Sequence, residues 1–314
     1  MTLSAPASQP AASGIDWLVL AALVIAWGSA FAALKIAVED IPPAWNTVIR
    51  LWVATAVLAA ITLVRRERLP ALLPRPAPAW GWYAVLGLVG LAAPFFLFAF
   101  SAHGLPSAVN AICNGSSPLF TALLAHILLA EERLTPRRAA GVALGFAGLV
   151  VLVAPRLMQG VSVEGLALGA ALLGGLMYAA SNIITRKAPT VSSTAGALMM
   201  CLPGAVFATM GAFATSPLPP PPSWQSLAAV VGLGIFSTAL GSVGYVWLVQ
   251  RRGPVFMSMS IYLAPLWATG VGVMLMGERP GWSAFAALAL ILAGVGLTTL
   301  KPRAGIKAPG TEPA

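Results

Sequence analysis

Residues 106–154 read PSAVNAICNGSSPLFTALLAHILLAEERLTPRRAAGVALGFAGLVVLVA: an apolar helix with a polar stripe, a short charged turn, and a second apolar helix bearing glycines. A near copy returns at residues 253–300, GPVFMSMSIYLAPLWATGVGVMLMGERPGWSAFAALALILAGVGLTTL. Pro118 and Pro265, each opening a Pro-Leu-aromatic triplet, stand thirteen residues before Glu131 and Glu278. Both glutamates are followed by a further glycine-bearing apolar helix. The chain therefore carries an internal repeat, and the remainder is read outward from it.

Of 314 residues, 59% are hydrophobic and only 9% charged, whereas soluble domains carry about 25% charged residues. This is the composition of a polytopic membrane protein. Its net charge of +9 would suggest a nucleic-acid partner in a soluble chain. Here the basic residues fall between apolar runs, where the positive-inside rule accounts for them, so no nucleic acid is expected. Cys113 and Cys201 lie inside apolar runs with no paired Cys or His at ligand spacing, and they read as small core residues. Neither a metal nor a cofactor is expected.

Apolar spans are expected at about 17–36, 45–64, 80–102, 107–129 and 138–154, then at 165–185, 194–213, 226–249, 254–276 and 282–299. Most match the roughly 20 residues that cross a bilayer, the fifth and last being short. Lipid-facing backbone must satisfy its own hydrogen bonds, so each run is expected to be helix. The expected fold is all-α: ten transmembrane helices as two five-helix repeats, residues 16–155 and 163–300. Residues 1–15 and 301–314 read as cytoplasmic tails, the first disordered. Ala30-Phe31-Ala32 mimics a cleavage site, but no basic region precedes it, so the first helix reads as retained. Residues 216–223, SPLPPPPS, read as a stiff loop.

With the N-terminus inside, fourteen Lys and Arg residues fall in cytoplasmic segments and only Arg156 and Arg279 in outer loops. That bias puts both termini in the cytoplasm of an inner or plasma membrane protein. Five helices per half make the copies cross in opposite senses. Charge agrees: four arginines follow the second helix and none follows its counterpart, the seventh. Inverted repeats of this kind mark secondary transporters with a central site between the halves.

Trp27-Gly28-Ser29-Ala30-Phe31, Arg50 after Pro42-Pro43, Pro118 to Arg133 and Pro265 to Arg279 together resemble the drug/metabolite transporter superfamily, in particular its EamA-type members, over about residues 15–300. The resemblance implies a ten-helix carrier with a central cavity that moves small metabolites, often outward. The sequence departs from the family pattern at Glu131-Glu132 and at His103-Gly104, so contacts there are not carried over.

Asn110, Asn114, Ser117 and Thr121 share one helical face. They read either as cavity lining or as interhelical glue, with the amides favouring the cavity because they are costlier to hide. In the ninth helix Ser258, Tyr262, Pro265 and Thr269 form a displaced stripe, so the cavity is expected to be polar on one side and apolar on the other. Trp27 and Phe31 in the first helix, Tyr178 and Asn182 in the sixth, and Tyr245 with Trp247 in the eighth are candidate substrate contacts. The competing reading is aromatic core or interfacial anchor.

Lys35 and Arg50 could neutralise a substrate carboxylate. The reading favoured here is that both snorkel to the boundary, Arg50 beside Glu39 and Asp40. Glu131 and Glu278 read as solvated ion pairs with the neighbouring arginines, and His126 is a candidate proton carrier. Gly141 with Gly145 and Gly165 with Gly169 read as close packing within the bundle, the alternative being dimer contacts; paired Pro118 and Pro265 read as hinges.

The expected function is a carrier exporting a small amphipathic or zwitterionic metabolite, such as an amino acid, by alternating access. Its expected partners are that solute, membrane lipids and, as a candidate co-substrate, protons; the oligomeric state is left as monomer or homodimer. A sugar-phosphate or nucleotide-sugar exchanger is the alternative within carriers, but it would need several buried cations in the cavity. A membrane-embedded enzyme is disfavoured, because no HExxH or GxSxG occurs.

Overall fold

The computed structural model describes residues 12–71, 77–129, 134–157 and 162–299, and among these no strand occurs. The tails at 1–11 and 300–314 and the turn holding Glu131 and Arg133 lie outside the described residues. Helices α1 Gly14–Ala37, α2 Pro43–Val64, α3 Pro78–Gly104 and α4 Ser107–Leu128 are followed by α5 Pro136–Leu157. The second half holds α6 Val163–Thr185, α7 Ser193–Thr215, α8 Trp224–Gly253, α9 Met259–Met274 and α10 Trp282–Thr299.

Eight of these are long and apolar enough to cross a membrane, and α9 and α10 are shorter apolar helices. The expected short helix in the first half is not short, since α5 begins at Pro136 and runs to Leu157. The ninth is shorter than its apolar run suggests, because Gly253 adopts φ 80° and Ser258 interrupts the segment again. Positive φ is open to glycine at no steric cost, so the chain bends there.

Local chemistry sets the starts. Pro43, Pro78 and Pro136 stand at first helical positions, where the missing N–H costs nothing. Ser162, Ser192 and Ser223 cap α6, α7 and α8 by accepting from Gly165 N, Ala195 N and Ser226 N. Both α3 and α8 contain a π-helical segment, Leu88–Ala92 and Leu233–Leu240, where the wider turn displaces the backbone ladder.

The halves pack through reciprocal pairs. α5 lies on α10 and α2 on α7; α1 packs on α8 and α9, while α6 packs on α3 and α4. In a bilayer, apolar area gives little drive for helix association, so close approach over small residues matters. At the α5–α10 crossing, a Cβ on Gly141 would meet the Gly294 carbonyl oxygen at 2.7 Å, and one on Gly294 would meet that of Gly141 at 2.5 Å. Gly145 shares this crossing, whereas nothing lies within 4 Å of a Cβ at Gly169. The core where the halves meet includes Leu34, Phe98, Leu105, Ile112, Leu119, Leu168 and Ile291, all buried.

Polar ties hold the helix ends. The buried Asp16 carboxylate accepts from Arg251 Nε at 2.7 Å and also pairs with Arg252, joining the start of α1 to the end of α8. At the opposite end Asp40, between α1 and α2, accepts from Ser223 Oγ and N and from Ser226 Oγ at 2.8 Å. The Ser223 hydroxyl, foremost among these donors, holds its carboxyl below the usual carboxylate range. Trp45 Nε1 donates to the Pro217 carbonyl at 2.8 Å and pins the proline-rich loop.

Candidate functional site

A cavity of about 390 Å³ lies between the halves, within the roughly 300–1,000 Å³ usual for small-molecule sites. α1 contributes Trp27 and Phe31, α2 Arg50, α3 Phe95 and Phe98, and α4 Asn114, Ser117 and Pro118. From the second half come Tyr178 and Asn182 on α6, Ser237, Thr238 and Ser242 on α8, and Ser260, Ile261 and Pro265 on α9. Among the described residues that line it, none is acidic.

The rings form a connected wall. Phe31 meets Phe98 edge-on with centroids 5.8 Å apart, and Phe98 stacks on Tyr178 at 5.6 Å. Trp27 Nε1 donates to the Ser237 carbonyl at 3.0 Å, inside the π-helical segment of α8. Toward the end where α1 stops, Leu34, Val38, Phe98 and Leu105 are buried. Toward the other end Asn182 is exposed and donates to Thr121 Oγ1 at 3.2 Å. Buried apolar side chains thus close the cavity toward the end where α1 stops, while Asn182 at its other end is exposed.

Arg50 is 8% exposed yet lines the cavity. Its Nε donates to Thr238 Oγ1 at 2.9 Å, Nη2 donates to Ser237 Oγ at 3.4 Å, and Cζ lies 3.7 Å from the Phe95 ring centroid. Gly234 lets α8 come this close, since a Cβ there would meet the Arg50 carbonyl oxygen at 2.8 Å. Arg50 therefore does not snorkel toward Glu39 and Asp40: its guanidinium is buried and held by Thr238, Ser237 and the Phe95 ring.

Lys35 lies in the last turn of α1, and its head reaches the chain connections at that end. Its ammonium donates to the Leu105 carbonyl at 3.2 Å and stands 3.7 Å from Glu278. Glu278, expected to pair with its neighbour Arg279, instead accepts from Ser107 N at 2.7 Å, Ala108 N at 3.2 Å and Ser107 Oγ at 3.0 Å. Pro106 precedes that helix and has no capping side chain, so a carboxylate from the other half supplies the cap.

The polar stripe of α4 is divided. Asn114 and Ser117 line the cavity, while Asn110 is 1% exposed, accepts from Ser101 Oγ at 2.9 Å and donates to the Phe98 carbonyl at 3.0 Å. Asn110 is therefore bound between α3 and α4 and does not line the cavity. Ser116 breaks the helix between the two arms. Pro118 has no N–H for the Asn114 carbonyl, and Ser117 Oγ takes its place at 2.7 Å.

Tyr245 is 44% exposed and tilts against Trp27 with centroids 6.1 Å apart, outside the lining. Tyr262 packs against the core where the halves meet and is not on the cavity wall. His126 is exposed at the end of α4, where Nδ1 accepts from Leu134 N at 3.2 Å. Reading the sequence missed Phe95 and the Ser237, Thr238, Ser242 set, although three hydroxyls within the apolar run IFSTALGS were a signal.

Residues 13–154 and, separately, 162–300 match the EamA-like transporter family. The uncharacterized inner membrane transporter YedA of Escherichia coli is 29% identical over 90% of this chain and 89% of its own. A protein of Streptantibioticus cattleyicolor named "Probable terminal-alkyne amino-acid exporter" is 29% identical over 91% of this chain and 95% of its own. A crystal structure superposes on 92% of this chain and 98% of its own with a TM-score of 0.62 at 23% identity, which shows a shared fold.

Proposed function

The chain belongs to the EamA-like transporter family and is a membrane transporter; from that premise we propose that it exports a small amphipathic or zwitterionic metabolite, such as an amino acid, across the inner membrane by alternating access. The observation that carries this reading is the cavity between the halves: its described lining combines aromatic rings, amides and hydroxyls with one buried guanidinium and no acidic residue. Such a lining suits a solute with an apolar body and one anionic group. The relative named "Probable terminal-alkyne amino-acid exporter" is of matching length, and its name favours an amino acid and the outward direction.

Two inverted copies would supply the alternating movement. Three observations support them: the family matches each half separately, π-helical segments recur in α3 and α8, and the packing pairs exchange when the halves are exchanged. The apolar closure where α1 stops and the exposed Asn182 at the other end are what one of two access states would present.

The phosphorylated-solute alternative is weakened by Lys35. With its ammonium held by Glu278 and Leu105, the lining offers Arg50 alone against a dianion. The test is counterflow into proteoliposomes holding the purified chain. Saturable exchange of labelled amino acids is expected, and exchange of sugar phosphates in their place would overturn the solute class. Linear, non-saturating flux without counterflow would overturn the carrier.

A further inference from the structure

We propose that the cavity reads its solute by the carboxylate and not by the ammonium: Arg50 binds a monocarboxylate whose ring-sized apolar body lies among Trp27, Phe31, Phe98 and Tyr178. The inference rests on the cavity being the solute site.

The first support is what Arg50 lacks. It is 8% exposed within the helix bundle, and a cation at membrane depth needs compensation. Its contacts are two hydroxyls and the Phe95 ring, all neutral, and Nη1 makes no hydrogen bond to the described residues. A guanidinium is built to hold a carboxylate through two parallel N–H bonds. Thr238 and Ser237 fix the Nε side of the fork, which orients the remaining edge without neutralising its charge.

The second support is the charge balance of the wall. With Lys35 committed to Glu278, the lining carries one positive charge and no negative one. One carboxylate balances it; a dianion would be left half matched. An ammonium would find only neutral acceptors, such as Asn114, and ring faces, which hold a cation less strongly than a carboxylate does. Removing the carboxylate from a solute should therefore cost far more affinity than removing the ammonium.

The experiment uses three probes that differ only in these groups: phenylalanine, 3-phenylpropionate and phenethylamine. Binding to the full chain in detergent is followed by thermal stabilisation, and counterflow is followed in proteoliposomes. Phenylalanine and 3-phenylpropionate are expected to bind within about tenfold of each other, and phenethylamine at least about tenfold more weakly, as befits loss of a charge-assisted hydrogen bond. Arg50→Gln should lose the preference for the carboxylate, and Arg50→Lys should keep part of it.

Equal binding of phenethylamine and 3-phenylpropionate would overturn the proposal using the wild-type chain alone, whatever the variants do. So would unchanged 3-phenylpropionate binding by a folded Arg50→Gln chain. Saturable counterflow of another solute with none of the three probes bound would also overturn it, while leaving the transporter reading intact. Carboxylate-selective binding without saturable counterflow of any solute would instead sustain the site and overturn the carrier.

Discussion

Asn110 and Asn114 are one helical turn apart and have opposite employment. Both amide groups of Asn110 are used, by Ser101 and by the Phe98 carbonyl, whereas Asn114 faces the cavity. Asn110→Ala is expected to lower stability by about 1 kcal/mol, the scale of interhelical hydrogen bonds in membranes, and to leave solute affinity unchanged. Asn114→Ala should cut transport several-fold while keeping the wild-type melting temperature. Melting in detergent beside counterflow separates the two, and a transport defect in Asn110→Ala without loss of stability would contradict this placement. Helical periodicity puts both on one stripe, but a period specifies a face and not its neighbour. The docking of α3 against the arm Ser107–Gly115, where Ser101 and the Phe98 carbonyl take up Asn110, decides the matter. Arg50 and Lys35 were ambiguous for the same reason: their partners lie 188 and 243 residues away in the chain.

Helix ends carry more of the cross-half connection than their sequence suggests. The motif around Glu278 was legible as repeat framework, yet its neighbour Arg279 made a local ion pair the simpler expectation. The proline before α4 changes the balance, since Pro106 leaves the first amides of that helix without a local cap. The Glu278 carboxylate fills that place and adds Lys35, so three helices, α1, α4 and the end of α9, converge on one charge. Glu278→Gln keeps the shape and removes the charge. It is expected to destabilise the chain by about 1.5–3 kcal/mol, the range for hydrogen bonds to charged groups, and to loosen the closed end. A cysteine replacing buried Leu34, in a background lacking Cys113 and Cys201, should then react faster with a polar maleimide. Unchanged melting together with unchanged labelling would show that the contact fastens nothing.

At the scale of the molecule, the number and order of the helices were legible because each apolar run is bounded by charge or proline and has almost no alternative in lipid. Which helices meet was not, because lipid-facing and partner-facing surfaces are equally apolar and only small residues such as Gly141 and Gly294 mark the crossings. Orientation rests on a separate argument, from charge. The structure puts Ser223 beside Asp40 at the end where α1 stops, and Arg137 at the start of α5 at the other end. If the halves are inverted copies, the proline-rich loop, which carries no charged residue, is equivalent to the segment after α2 with its four arginines, and the positive-inside rule accounts for that difference. Single cysteines at Ser223 and at Arg137, in a background lacking the native cysteines, should therefore label from opposite sides of the membrane, the Arg137 position from the cytoplasm. Labelling of both from one side would break the link between repeat and topology, and with it the alternating movement that depends on two halves facing opposite ways.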